Sequence, residues 1–230
     1  FYPKHSDESM LLQKKTELIC LENRKNIIRA AIDKNYDFLI FDDGLQDKSI
    51  SYNLEIVCFD TQSWIGNGNL LPAGPLREKI SSIKKYDAIF LKSSKDQHIY
   101  IKDIIKKINP KIKIFETSYE ISNIENFNLS DNYLIFSGIG NPKSFKKMLI
   151  ENEFNIVDEI IFPDHYDYKK RDINLIKLRA KKLNAKIITT EKDFLKTSLI
   201  ENNDIEVIKI NLKLKNRKEL INFLNTNIHE

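Results

Sequence analysis

Asp42 and Asp43 stand side by side between an apolar run, Phe38-Leu39-Ile40-Phe41, and the segment Gly44-Leu45-Gln46. Such a run reads as a buried parallel strand, and ligands of parallel α/β sheets bind beyond the carboxyl ends of the strands. Adjacent carboxylates at that end suit a magnesium ion, which takes oxygen ligands and keeps several waters. In nucleotide-handling enzymes the metal is positioned at such a strand end. The same residues also describe a solvated Asp-Gly turn that does no more than end a strand.

Other stretches carry reactive side chains too. Gly66-Asn67-Gly68 through Leu71-Pro72-Ala73-Gly74-Pro75-Leu76-Arg77-Glu78 holds three glycines and two prolines, which excludes helix and central strand. Long loops inside compact domains are usually functional, and Arg77 offers a planar fork for phosphate or carboxylate. A structural loop closed by a surface Arg77–Glu78 pair is the alternative. His165 lies between Asp164 and Asp167 after an apolar segment, where a histidine of functional pKa is plausible and a solvated one is common. Gly138-Ile139-Gly140-Asn141-Pro142 fits an anion cradle or a plain tight turn. Thr190 three residues before Asp193 fits a helix cap, with Lys192 available to a phosphate. Asp7-Glu8, close to His5, reads from the residues alone as an acidic pair in a frayed, irregular terminus.

The elements that would position these residues alternate as helix and strand. Helices are expected at 24–34, 101–108, 172–183 and 220–224, and after Pro142. Strands are expected at 38–41, 54–59, 87–91, 111–120, 133–136, 154–161, 187–188 and 205–210. A polar stretch from Ser122 to Asp131 suggests a division into residues 1–115 and 116–230. The pattern is that of an α/β protein with mostly parallel sheet and flanking helices.

Composition excludes several classes. With 41% hydrophobic and 30% charged residues in 230, the chain has the make-up of a globular protein with a sizeable core. Lys and Arg (37) exceed Asp and Glu (33) by a mild, dispersed margin, compatible with an anionic substrate or membrane surface. No dense basic stripe with interleaved aromatics occurs, so nucleic acid is not an expected partner. Cys20 and Cys58 are far apart and form no metal motif, a usage that fits a reducing compartment. No apolar run approaches the length of a membrane span. Of six glycines, four fall between Gly44 and Gly74, so the special backbone demands concentrate there.

Taken together, Ser6-Asp7-Glu8, Asp42-Asp43-Gly44-Leu45-Gln46, the Gly66–Glu78 loop, Gly138–Pro142, Asp164-His165 and Thr189-Thr190-Glu191-Lys192-Asp193 resemble one family. It is the tetraacyldisaccharide 4′-kinase family, the lipid A precursor kinase, and the resemblance runs over nearly the whole chain. It implies a P-loop-kinase-like α/β domain joined to a smaller α/β domain, with the nucleotide between them. It implies ATP and Mg²⁺ as cofactors and an acylated glucosamine disaccharide 1-phosphate as acceptor. The implied location is peripheral, at the cytoplasmic face of the bacterial inner membrane. By position, Asp42 and Asp43 would hold the metal, Asp7 would act as base and His165 would be its partner from the second domain. Arg24, Gln46, Arg77 and Glu78 would line the nucleotide site.

The sequence departs from the family pattern at several points. It contains no Gly-x-x-x-x-Gly-Lys-[Ser/Thr] segment, the phosphate-binding element of such kinases. Ser6 and Ser9 replace a glycine and a proline of the family, and Asp47 replaces a histidine. With Phe1 as first residue, the expectation is an incomplete chain of the kinase. The alternative is a non-catalytic nucleotide- or glycolipid-binding protein.

Overall fold

The computed structural model describes residues 7–93, 98–197 and 203–228. They form two compact units that interleave along the chain: residues up to Asn23 with Ile121–Ile210, and Arg24–Glu120 with the residues from Asn211 onward. A single cut between 115 and 116 would fall inside a strand, β3 (Lys113–Ile121), and would separate the last helix from the sheet it covers.

The first unit opens with α1 (Asp7–Gln13) and then resumes with β4 (Asn132–Ser137), α4 (Pro142–Glu151), β5 (Asn155–Ile161), α5 (Lys170–Lys182), β6 (Lys186–Thr190), α6 (Glu191–Lys196) and β7 (Ile205–Ile208). Its four strands run parallel in the order β5-β4-β6-β7. Successive residues of β4 face opposite layers. Tyr133 and Ile135 pack with Phe145 and Leu149 of α4, while Leu134 and Phe136 pack with Ile173 and Ile176 of α5. Both faces are covered, which is why this strand reads as an unbroken apolar run. The α4 helix starts where its chemistry requires: Asn141 Oδ1 accepts from Ser144 N at 3.1 Å, and Pro142 occupies the first turn. Ile124, Phe127 and Leu129, from the stretch expected to be a polar linker, pack against the same core.

The second unit contains α2 (Arg24–Asp33), β1 (Ile56–Asp60), β2 (Ala88–Lys92), α3 (His98–Ile108), most of β3, most of β8 (Ile210–Leu214) and α7 (Arg217–Ile228). Strand order is β1-β2-β3-β8, with β1, β2 and β3 parallel. Ile101 and Ile105 of α3 close one face over Ile89 and Leu91. Leu220 and Phe223 of α7 close the other over Ala88 and Phe115, with the Phe115 and Phe223 rings 5.4 Å apart.

Residues 38–41 are not a strand. They have no ladder partner, and the described sheet ends at β1. Phe38 is 52% and Ile40 84% exposed, so this run lacks the two covering layers that a buried strand requires. The region around Asp7, expected to be irregular, begins α1 instead.

Two candidate catalytic clusters

In the second unit the turn at residues 42–46 is held from outside. Arg24, the first residue of α2, donates to Asp43 O at 2.9 Å and Gly44 O at 3.0 Å, and pairs with Asp47 at 3.2 Å. Tyr52 Oη donates to the same Gly44 carbonyl at 2.7 Å. Gly44 is packed so closely that an added Cβ would lie 3.0 Å from Tyr52 Oη and 3.1 Å from Phe41 Cβ. Asp43 is left-handed, with φ of 52°. Guanidinium donors on main-chain carbonyls are worth about 1.5–3 kcal/mol, so Arg24 defines the path of the turn. Arg24, expected at the nucleotide site, supports the main chain of the residues that carry the carboxylates.

Those carboxylates face outward. Arg77 Nη1 lies 2.5 Å from Asp43 Oδ1 and 3.3 Å from Gln46 Oε1, and all three residues are exposed. Arg77 is delivered by a loop that ties to itself: Asn67 Nδ2 donates to Ala73 O at 2.8 Å and Leu71 N to Leu76 O at 2.8 Å. Gly74 is obligatory there, since a Cβ would fall 2.4 Å from Asn69 O. Glu78 turns away, accepting from Lys85 Nζ at 2.8 Å and Tyr86 Oη at 3.2 Å. The hydrogen bond from Lys85 holds its carboxyl below the ordinary carboxylate value. Arg24, Asp43, Gln46 and Arg77 are therefore one network, and Glu78 belongs to a neighbouring one. Asp60, at the end of β1, is committed to Lys92 at 2.7 Å.

Among the described residues no group of three or more His, Cys, Asp or Glu could hold a metal ion. Magnesium does not require one, because it is bound through one or two carboxylates completed by substrate phosphates and waters. The Asp42–Asp43 pair is an exposed, oxygen-only donor set, and Asp43 already faces a cation in Arg77. It fits that ion.

The second cluster lies within the first unit, beyond the carboxyl ends of β4, β5 and β6. In the strand order β5-β4-β6-β7, the chain leaves β4 toward β5 while β6 lies on the other side, so a topological switch point falls between β4 and β6. Three segments meet there. Gly138–Asn141 follows β4, Pro163–His165 follows β5, and Thr190–Asp193 follows β6. His165 is left-handed, with φ of 59°, and its N–H donates to Gly138 O at 3.2 Å and Asp164 Oδ1 at 3.0 Å. Its imidazole Nε2 lies 3.9 Å from Asp164 Oδ2, and Lys192 Nζ lies 3.9 Å from Asp164 Oδ1. An added Cβ on Gly140 would fall 3.1 Å from Asp164 Oδ2.

Asp7 is the first residue of α1, and its side chain lies outside the described residues. Its helix packs against α6 and belongs to the same unit as His165. The pair is thus carried by one unit, whereas the division by sequence position had assigned them to two. Sequence reasoning missed the hub of this cluster, Asp193 with Tyr168. Thr190 and Asp193 were legible as a cap, and nothing along the chain linked them to Tyr168 or Gly138.

Two α/β units with mostly parallel sheets and helices packed on them define an α/β protein. The family model for LpxK, tetraacyldisaccharide-1-P 4′-kinase, matches residues 4–229. A tetraacyldisaccharide 4′-kinase of Pelagibacter ubique (strain HTCC1062) is 46% identical over 224 residues, covering 97% of this chain and 71% of that protein. One of Rickettsia akari (strain Hartford) is 36% identical over 217 residues, covering 94% of this chain and 64% of that protein. The solved structure of Aquifex aeolicus LpxK in complex with ATP superposes with a TM-score of 0.53 at 22% identity, over 82% of this chain and 56% of that one, a likeness of fold. The chain belongs to the tetraacyldisaccharide 4′-kinase family. It spans roughly two thirds of the length of these relatives.

Proposed function

We propose that this chain takes part in transfer of the γ-phosphoryl group of ATP to the 4′-hydroxyl of a tetraacyl glucosamine disaccharide 1-phosphate. The observation that carries the reading is 46% identity, across 97% of the chain, to a protein of that name. The two clusters supply a division of labour. Asp42 and Asp43 would hold Mg²⁺, which when bound neutralises charge on the transferring phosphates. Arg24 fixes the backbone beneath them, and Arg77 offers a second cation to the phosphates. Asp7 accepts the proton of the sugar hydroxyl as the new O–P bond forms and ADP leaves. His165, in the same unit, orients that exchange. Excess positive charge favours an acceptor bearing a phosphate, and the acylated acceptor places the reaction at a membrane surface, by this account the cytoplasmic face of the inner membrane.

The test is label transfer from γ-labelled ATP·Mg²⁺ to the tetraacyl disaccharide 1-phosphate in detergent micelles. A labelled bisphosphate product supports the reading. The second reading is a nucleotide- or glycolipid-binding role without phosphoryl transfer. Saturable binding of ATP or the glycolipid with no labelled product would select it.

A further inference from the structure

Asp193 is a buried and fully hydrogen-bonded carboxylate in the first unit. It is 0% exposed, and three donors converge on its two oxygens. Oδ1 accepts from Gly138 N at 3.0 Å and from Tyr168 Oη at 2.9 Å, while Oδ2 accepts from Thr190 Oγ1 at 2.7 Å. Capping explains none of the first two. The cap of α6 is made by Thr190, whose Oγ1 accepts from Asp193 N at 3.1 Å. The Asp193 side chain points back to the end of β4, across the switch point, where it holds a main-chain N–H.

That N–H belongs to Gly138, whose carbonyl in turn accepts the N–H of His165 at 3.2 Å. The link has little slack, because a Cβ on Gly138 would lie 3.0 Å from Pro163 O and 3.3 Å from Asp193 Oδ1. Tyr168 closes the assembly from just before α5; its hydroxyl donates to Asp193, and burial pushes its pKa up strongly, so it remains a donor. His165 itself sits on exposed, left-handed backbone, a conformation that a non-glycine residue keeps only when its surroundings over-determine it.

We propose that Asp193 is a positioning residue for the phosphoryl-transfer reaction: through Gly138 it fixes the main chain of the loop that presents His165. The inference rests on the kinase reading for its consequence in turnover, and on geometry alone for its consequence in the loop. It differs from a packing role because the route is specific, from the Asp193 carboxyl to the Gly138 N–H and from the Gly138 carbonyl to the His165 N–H.

The experiment compares wild type with Asp193→Asn, which keeps the volume but weakens the acceptor, and with Leu149→Ala, which opens a cavity in the same unit at the far end of α4. Amide hydrogen exchange and steady-state kinetics are measured on each. For Asp193→Asn the Gly138 and His165 amides exchange about 10-fold faster or more while Ile188 in β6 changes little, and kcat falls about 10-fold with KM nearly unchanged. Leu149→Ala speeds exchange across the unit and leaves kcat per folded molecule unchanged. Should Asp193→Asn fail to fold, Gly138→Ala strains the same link and should release the His165 amide in the same way. Unchanged Gly138 and His165 exchange, or a uniform increase like that of Leu149→Ala, overturns the proposal. If wild type transfers no phosphate, the kinase reading falls, and the exchange data still decide whether Asp193 fixes the loop.

Discussion

Arg77 and Asp43, 34 positions apart in sequence, meet through a guanidinium nitrogen 2.5 Å from a carboxylate oxygen at the exposed end of a fastened turn. The side chains are 55% and 66% exposed, so the pair contributes about 1 kcal/mol at most. A partner held that weakly is easily exchanged for a metal ion, and the released arginine is then free for phosphate. Arg77→Gln should therefore tighten Mg²⁺ binding by up to about 5-fold while raising KM for ATP, as read by Mg²⁺ titration calorimetry and initial rates. Unchanged Mg²⁺ affinity would mean that the pair and the metal do not share Asp43.

Arg24 serves the turn through main-chain carbonyls, which a lysine cannot reproduce because it has no planar fork. Arg24→Met is expected to cost the second unit about 2 kcal/mol, and Arg24→Lys to recover less than half of it. Trp64, the one tryptophan, packs 5.0 Å from Phe59 in this unit and reports its urea transition by fluorescence.

Phe115 lies between Phe90 and Phe223, with centroids 5.9 and 5.4 Å away, and ties α7 to the sheet. Phe115→Ala should cost about 3–5 kcal/mol. The same Trp64 fluorescence, followed through a urea titration, measures it. Loss below about 1 kcal/mol would show that α7 is not part of this core.

The Glu78–Lys85–Tyr86 group adds a pH dependence of definite sign. The Glu78 carboxyl is held below its ordinary value of 4.5, first by Lys85, so its contribution is fully present above that value and is lost as pH falls through the lowered one. The Lys85 ammonium is held above 10.5, first by Glu78, so its contribution is present below that value and lost as pH rises through the raised one. Both limbs are small, within about 1 kcal/mol, because the ion pair is partly exposed. Glu78→Gln should flatten the acid limb of thermal stability against pH without changing the neutral plateau by more than that amount.

The covered strands were legible because burial on two faces leaves a mark in one dimension: Tyr133-Leu134-Ile135-Phe136 has no polar residue, and each of its faces meets a helix. Phe38-Leu39-Ile40-Phe41 carries the same mark without the environment, since a strand is defined by a ladder partner that local sequence does not name. The interleaving of the two units was invisible for a related reason. Leu220 and Phe223 have helical spacing, but spacing does not say which sheet they cover. The carboxylate turn and the His165 loop were singled out as candidates from their residues and the family resemblance. Arg24 was singled out for the nucleotide site, and its hydrogen bonds to the main chain of the turn were not legible in the sequence. Asp193 was hidden because its partners, Gly138 and Tyr168, are 55 and 25 positions away.

Phosphate transfer itself is the most direct test of the account. With γ-labelled ATP, Mg²⁺ and the tetraacyl disaccharide 1-phosphate in micelles, wild type should yield labelled bisphosphate, and Asp7→Ala and His165→Ala should each reduce the rate by about 100-fold or more. Transfer at wild-type rate by either variant would contradict the assignment of that residue. Absence of transfer by wild type, with ATP still bound, would contradict the kinase reading of this chain.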